Sequence, residues 1–443
     1  MRFHPIRFAT SIATLLVVCL LALPAQAIGL LRDADMEHAL KQLGAPVLRA
    51  AGLSPERVKI LVVDDSSLNA FVVSNDAIFI HYGLINKMGS AAMLQGIIAH
   101  EAAHITNGHI TRRLGNMANA RTISGLGMAL AAAAAATGNG SAAAGIALGT
   151  SSSAQRAFLG HTRAEEASAD QSGIRYMKSA GVSPQGMLDA LGIFSGQEAL
   201  SVGRQDPYMR SHPLSRDRMR AVAGYVASYG TLPPDATADY WFARLQGKIS
   251  AYTRAPGWTL RRLNAEPYPD VRALRQAIAE HRNSRTQAAL AAIDTAIAAR
   301  PNDPFLRDQK GQILLETRNF AAAAQTYATA VQRAPNDPLV LSGYGRALLA
   351  SGQIKQALDV LEKSRRQDFR DASMLRDLAT AYAKTGQTGM AALITSERYA
   401  LGGRMKDAGI HAKRATGLLN EGSGPWQRAQ DVLIASERAA KRK

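Results

Sequence analysis

Apolar positions along this chain change their spacing from region to region, and each spacing predicts a different element. An unbroken apolar run from Ile12 to Leu23 opens the chain. From residue 28 to about 228, short strand-like runs mix with helical patterns. Leu68-Asn69-Ala70-Phe71-Val72-Val73 and Ile78-Phe79-Ile80 read as two strands, and Ser74-Asn75-Asp76 between them suits a hairpin turn because Asn and Asp bond their own backbone. Ala91 to Ala99 (AAMLQGIIA) is apolar and rich in helix formers, and Ile105, Ile110 and the basic pair Arg112-Arg113 follow, which predicts a buried helix. A second helix is expected from Thr162 through Met177. Beyond about residue 267 the strand signal disappears, leaving Ala-, Leu- and Arg-rich helical sequence to the end.

The apolar run at the start falls short of the roughly 20 residues that a bilayer span needs. Arg2 and Arg7 precede it and the small-residue end Ala25-Gln26-Ala27 follows it, so residues 1–27 read as a cleaved secretory signal peptide. The single cysteine, Cys19, lies inside that leader, which excludes disulfides and a cysteine-held metal from the mature chain. The formal net charge of +17 falls by two, to +15, when Arg2 and Arg7 leave. These basic residues are dispersed apart from a C-terminal cluster (Arg438, Lys441, Arg442, Lys443), and an exported chain rarely meets nucleic acid. The charge therefore suits solubility or attraction to anionic membrane surfaces and acidic substrates, and no nucleic-acid partner is expected.

Two functional regions follow the leader. Residues 28–228 hold every candidate metal ligand, and 229–266, with Pro233-Pro234, Pro256-Gly257, Pro267 and two of the three tryptophans nearby, read as a linker with some packing of its own. Residues 267–443 carry a period: Pro301-Asn302-Asp303-Pro304 returns 34 residues later as Pro335-Asn336-Asp337-Pro338, and again, degenerate, as Phe369-Arg370-Asp371-Ala372. Within one unit Gly311, Ala323, Tyr327, Ala330 and Pro335 occupy the small, aromatic and proline positions of a tetratricopeptide repeat. Small residues let paired helices approach closely, and stacked pairs make an α-solenoid with a concave face.

The candidate chemistry sits in His100-Glu101-Ala102-Ala103-His104. Residues i and i+4 of a helix project from nearly the same face, so both imidazoles can reach one zinc ion, and the intervening carboxylate can take a proton from a water beside it. A third ligand is needed. His109 lies nine residues from His100, about 180° round a continuous helix, and is expected to face away from the metal. Glu166 is the better candidate, with Asp170 one turn on and able to accept the N–H of a ligating imidazole. Taken alone, this E-x-x-x-D spacing better describes a capped, solvated acidic helix face, and it is the upstream histidine motif that turns the reading toward a metal.

H-E-A-A-H, T-R-A-E-E-A-S-A-D-Q-S-G from Thr162, Ser211-His212-Pro213 with Arg218, and the N-A-F segment at Asn69-Ala70-Phe71 together resemble metallopeptidase family 48, the group containing the CAAX prenyl endopeptidases. The resemblance implies a mainly α fold: an α+β, zincin-like (gluzincin) metalloprotease domain with a small β-hairpin or sheet, followed by the repeats. It implies one Zn2+ per chain held by His100, His104 and Glu166, Glu101 as general base, and Asn69, Ala70 and Phe71 on an edge strand that pairs with extended substrate. Two departures from the family pattern bear on substrate preference: Ser168 stands where a second glutamate is common, and Ser74-Asn75-Asp76 where a proline-glycine turn is common.

His212, on a loop because Pro213 disfavours helix before it, is expected to occupy zinc's fourth position at rest, to stabilise an oxyanion, or to cap a turn. Arg218 either steadies Glu166 or Asp170 or closes a surface ion pair. The uncharged Ala/Gly/Ser segment from Thr122 to Ser153 reads as an apolar hairpin over the site that touches a membrane surface. With leader and repeats, the resemblance extends to the family's exported branch. That implies a periplasmic endopeptidase with peripheral membrane contact, chaperone-like as well, acting on unfolded or misassembled outer-membrane β-barrel proteins, with the repeats docking the outer-membrane assembly machinery. A non-proteolytic chaperone or adaptor with a structural zinc is the alternative.

Overall fold

The computed structural model describes residues 29–112, 163–201, 204–230 and 232–441. The expected leader and the uncharged segment 122–153 lie outside the described residues. Two compact units divide at Ala381/Tyr382, within the repeat array.

The larger unit begins with β1 (Leu30–Leu31) and helix α1 (Ala34–Ala50). The Asp33 side chain accepts the Met36 N–H and starts α1, while Met36, Ala39, Leu40, Leu43 and Val47 form its buried stripe. Strands β2 (Lys59–Val63), β3 (Ala70–Ser74) and β4 (Ala77–His81) complete a sheet of order β1-β2-β4-β3. Strand β4 runs parallel to β2 and antiparallel to β3, and a bulge between Val72 and Ser74 absorbs the turn. The hairpin therefore forms where the alternation predicts it, and Phe71 stacks on Phe79 across it with ring centroids 5.3 Å apart. Its partner β2, which no local turn signal announces, pairs across a longer loop.

Helix α2 (Tyr82–Lys87) leads to α3 (Ala91–Thr106), which carries the His-Glu-x-x-His motif. The Ser90 hydroxyl caps α3 by accepting the Met93 N–H, and from Leu94 to Ile105 every residue of the helix is buried. Enclosure requires close backbones. A Cβ on Gly173, in helix α4 (163–179), would come within 3.2 Å of the Ala99 carbonyl carbon and the His100 nitrogen. Glycine there lets α4 lie directly on the motif. Helix α5 (Gln185–Gly192) approaches equally closely on another side, with Gly186 against Ala92.

Helix α6 (Pro207–Ser211) ends at His212, and α7 (Arg216–Tyr229) starts at a Ser215 cap. The stretch expected as a linker contains α8 (Ala236–Thr253), an 18-residue helix whose buried residues include Phe242, Leu245 and Ile249. Its Arg244 lies 2.8 Å from Asp35 and also pairs with Asp303, while Lys248 lies 2.8 Å from Asp33. These charges are almost completely buried, which is tolerable because each has an opposite partner. The prolines punctuate the ends of this segment, and its middle is amphipathic enough to join the core.

Helix pairs follow as Pro269–Arg282 with Thr286–Ala299, Pro304–Glu316 with Phe320–Arg333, and Pro338–Ala350 with Ile354–Gln367. The P-N-D-P repeat has a capping cause. Asp303 accepts the N–H groups of Phe305 and Leu306, Asp337 those of Leu339 and Val340, and Asp371 that of Ser373. Proline sits in the first helical turn, where no N–H is missed. Tyr327 fills the space over Gly311 and Gly343 of the flanking helices. The smaller unit comprises Thr388–Leu401, Met405–Thr416 and Gly424–Lys441, packed around Ala392, Leu393, Ala415 and Ala429. Among the described residues no helix is long and apolar enough to cross a membrane. The fold is mainly α with one small sheet and helical repeats after it.

Candidate metal centre

Helix α3 points His100 and His104 from one face, as one turn of separation requires, and their Nε2 atoms lie 3.1 Å apart. Helix α4 brings Glu166 against both, with its oxygens 3.2 Å from His100 Nε2 and 3.4 Å from His104 Nε2. The loop after α6 adds His212, whose Nδ1 is 3.1 Å from Glu166 and 3.4 Å from His100 Nε2. All four residues are buried. Ligand atoms on a tetrahedral zinc at about 2.0–2.1 Å are separated by roughly 3.3–3.4 Å, which these spacings match. Three imidazole nitrogens and a carboxylate with their lone pairs converging are mutually repulsive without a cation, and they are a donor set that zinc accepts.

Glu101 is fully buried beside this cluster, with Oε1 3.5 Å from His212 Nε2. Asp170 accepts two bonds of 2.8 Å from Arg218, and one of its oxygens lies 3.0 Å from His100 Nδ1. Arg218 also reaches Glu166 at 3.2 Å and the Pro213 carbonyl at 2.8 Å. Arg218 is itself buried, so its contacts with both carboxylates are not at the surface. Ala70 and Phe71 lie in β3, at the end of the sheet order, and the Asn69 carbonyl accepts the His81 N–H.

Electrostatics favour the charge states a metal needs at Glu166, Asp170 and His104, and the opposite state at His100. Burial pushes the Glu166 carboxyl up, but His212, His100 and His104 surround it and hold it well below the usual carboxylate range. Asp170 is likewise lowered, burial being outweighed by His100 and Arg218. Burial drives His104 well below its ordinary value and keeps it neutral despite Glu166. Burial also opposes the charge on His100, but its bonds to Asp170 and Glu166 raise it to about 10.

His109 is not one of the four clustered residues, as expected, but the reason differs. It does not lie on the far face of α3, because α3 stops at Thr106 and Gly108, with φ +69°, interrupts the helix before residues 109–112. His109 Nδ1 then lies 2.9 Å from His104 Nδ1, and its Nε2 3.1 Å from the Ser168 hydroxyl. The 180° argument assumed an unbroken helix, and the glycine was the signal against it. Tyr208 is a further residue that the motifs did not indicate. Its ring stacks on His212 at 4.6 Å and on Phe194 at 4.6 Å.

Residues 34–226 match the family described as Peptidase family M48, and residues 314–382 match Tetratricopeptide repeat. The chain is 21% identical over 217 residues to the Beta-barrel assembly-enhancing protease of Yersinia pestis, covering 49% of this chain and 44% of that one. It is 24% identical over 245 residues to the Putative beta-barrel assembly-enhancing protease of Vibrio cholerae, covering 50% of each. It is also 24% identical over 185 residues to Metalloprotease YcaL of Escherichia coli, covering 40% of this chain and 64% of that one. The chain spans about half the length of the first two relatives. Among solved structures, a MamA double mutant is similar at 20% identity and a TM-score of 0.32, covering 37% of this chain and 94% of that one.

Proposed function

From a chain that carries a family M48 peptidase domain followed by tetratricopeptide repeats, we propose a periplasmic zinc-dependent endopeptidase, chaperone-like as well, that acts in the assembly and quality control of outer-membrane β-barrel proteins. The observation that carries the reading is Glu101, buried beside the His100–His104–Glu166–His212 cluster without being one of its ligands. A structural zinc site has no use for such a carboxylate. The relatives named as proteases of β-barrel assembly support the substrate class.

In this reading residues 1–27 are the cleaved leader, 28–228 the peptidase, 229–266 the connection and 267–443 the docking array. His100, His104 and Glu166 hold one Zn2+, which when bound polarises the scissile carbonyl and lowers the pKa of water. Glu101 takes the proton of the attacking water and delivers it to the leaving amine. Asp170, held by Arg218, keeps the His100 proton on Nδ1 and its Nε2 lone pair toward the ion. The outer edge of β3, at Asn69, Ala70 and Phe71, pairs with an extended substrate strand, so a chain must be unfolded or edge-exposed to be cut. His212 would complete the ligand set when no substrate is bound and would give way to substrate. The repeats bind the assembly machinery, and the basic surface adds peripheral attraction to anionic membrane.

The test is complementation of a strain lacking the protein. Wild type should restore clearance of a misassembled outer-membrane β-barrel protein, and Glu101→Gln should not. Full restoration by Glu101→Gln would instead establish the adaptor reading, in which zinc is structural.

A further inference from the structure

His104 has a support of its own, distinct from the Asp170–Arg218 pair that serves His100. Its Nδ1 is 2.9 Å from His109 Nδ1, with the two rings nearly perpendicular at 72°. His109 Nε2 is 3.1 Å from the Ser168 Oγ, and that hydroxyl is 3.0 Å from the Glu165 carbonyl. His104 and His109 are buried.

The direction of this chain of hydrogen bonds follows from its far end. A carbonyl only accepts, so Ser168 donates its proton to Glu165 O, and its oxygen is left to accept from His109 Nε2–H. A neutral His109 then has its lone pair on Nδ1 and accepts from His104 Nδ1–H. That leaves the lone pair of His104 on Nε2, the atom 3.1 Å from His100 Nε2 and 3.4 Å from Glu166. We infer that His109, backed by Ser168, is a positioning residue that sets the tautomer and ring orientation of His104 for metal binding. The chain break at Gly108 is what turns His109 onto His104 rather than outward. Each ligating imidazole thereby has its outer nitrogen engaged, His100 by a carboxylate and His104 by a neutral imidazole.

This inference rests on the zinc reading of the cluster, and the experiment separates the two. Zinc dissociation constants are measured on the full-length, metal-stripped protein by competition with a chromophoric chelator, and melting temperatures of the metal-free forms are recorded in parallel. His109→Ala should weaken zinc about 10–100-fold, the usual loss when the outer partner of a metal-bound histidine is removed. His109→Asn, whose Oδ1 stands where Nδ1 stood and can accept from His104, should bind close to wild type. Ser168→Ala should weaken zinc less than His109→Ala. Unchanged affinity in His109→Ala overturns the inference, as does a loss in His109→Asn equal to that in His109→Ala, because the ring's bulk would then matter and its acceptor would not. A fall in affinity tracking an equal fall in metal-free melting temperature across these variants also overturns it. If wild type binds no zinc, or binds it without dependence on His100 and His104, the underlying metal reading fails instead.

Discussion

Asp170→Asn is the substitution whose effects the structure constrains most tightly. The carboxylate accepts two 2.8 Å bonds from Arg218 and lies 3.0 Å from His100 Nδ1, and both it and Arg218 are buried. The amide keeps the shape and removes the charge. Breaking one partner of a buried pair costs about 3–5 kcal/mol. Glu166 still lies 3.2 Å from Arg218, so the lower end applies, about 3 kcal/mol. At roughly 2–4 °C per kcal/mol for domains of this size, the metal-free protein should melt about 6–12 °C lower. Zinc binding should weaken about 10–100-fold as His100 loses its anionic acceptor.

The sign of the pH dependence is set as well. Asp170 has a depressed pKa in the fold. Its contribution is therefore complete above the unfolded value of about 3.9 and fades as pH falls through the native one, so wild type and variant should converge in acid. Thermal melts and chelator competition on Asp170→Asn, Arg218→Met and the double variant form a cycle. The double variant should be less destabilised than the sum of the singles. Additive losses would refute the idea that Arg218 acts through Asp170.

His212→Ala should retain zinc and raise basal cleavage of an unfolded reporter chain, as the resting role proposed for His212 requires; turnover falling to background would show that His212 assists the reaction instead. Burial, followed by Asp33, pushes the Asp308 carboxyl up to about 8, with Lys248 opposing and Asp337 and Asp35 adding to the rise. Its stabilising share is thus present below about pH 4 and lost as pH rises toward 8, and Asp308→Asn should flatten that part of the melting-temperature profile. Gly186→Ala should cost about 1–3 kcal/mol in denaturant unfolding, since a methyl there meets the Ala92 backbone; a neutral result would mean that α3 and α5 can separate without cost.

Local patterns carried much of this architecture. The β3–β4 hairpin, helix α3 and the repeat helices are short-range features, and the recurring aspartates explain why a 34-residue period is visible at all: each one caps a helix. Glu166 and Asp170, one turn apart, both reach His100. What depended on distant contacts was not legible. β2 finds β4 across a loop, and α8 looked like linker because its proline-rich flanks outweighed a middle whose Arg244 and Lys248 are buried only through Asp33, Asp35 and Asp303. His109 was misplaced by extending an ideal helix through Gly108.

Peptide hydrolysis at the proposed zinc site through Glu101 is the central claim. It is tested most directly by turnover of an unfolded outer-membrane protein with wild type and Glu101→Gln, zinc content being measured on the same samples. Both proteins should hold one zinc per chain while the variant loses about 10²–10⁴-fold in rate, the range for removing a general base. Wild-type turnover by a zinc-loaded Glu101→Gln protein would contradict the account.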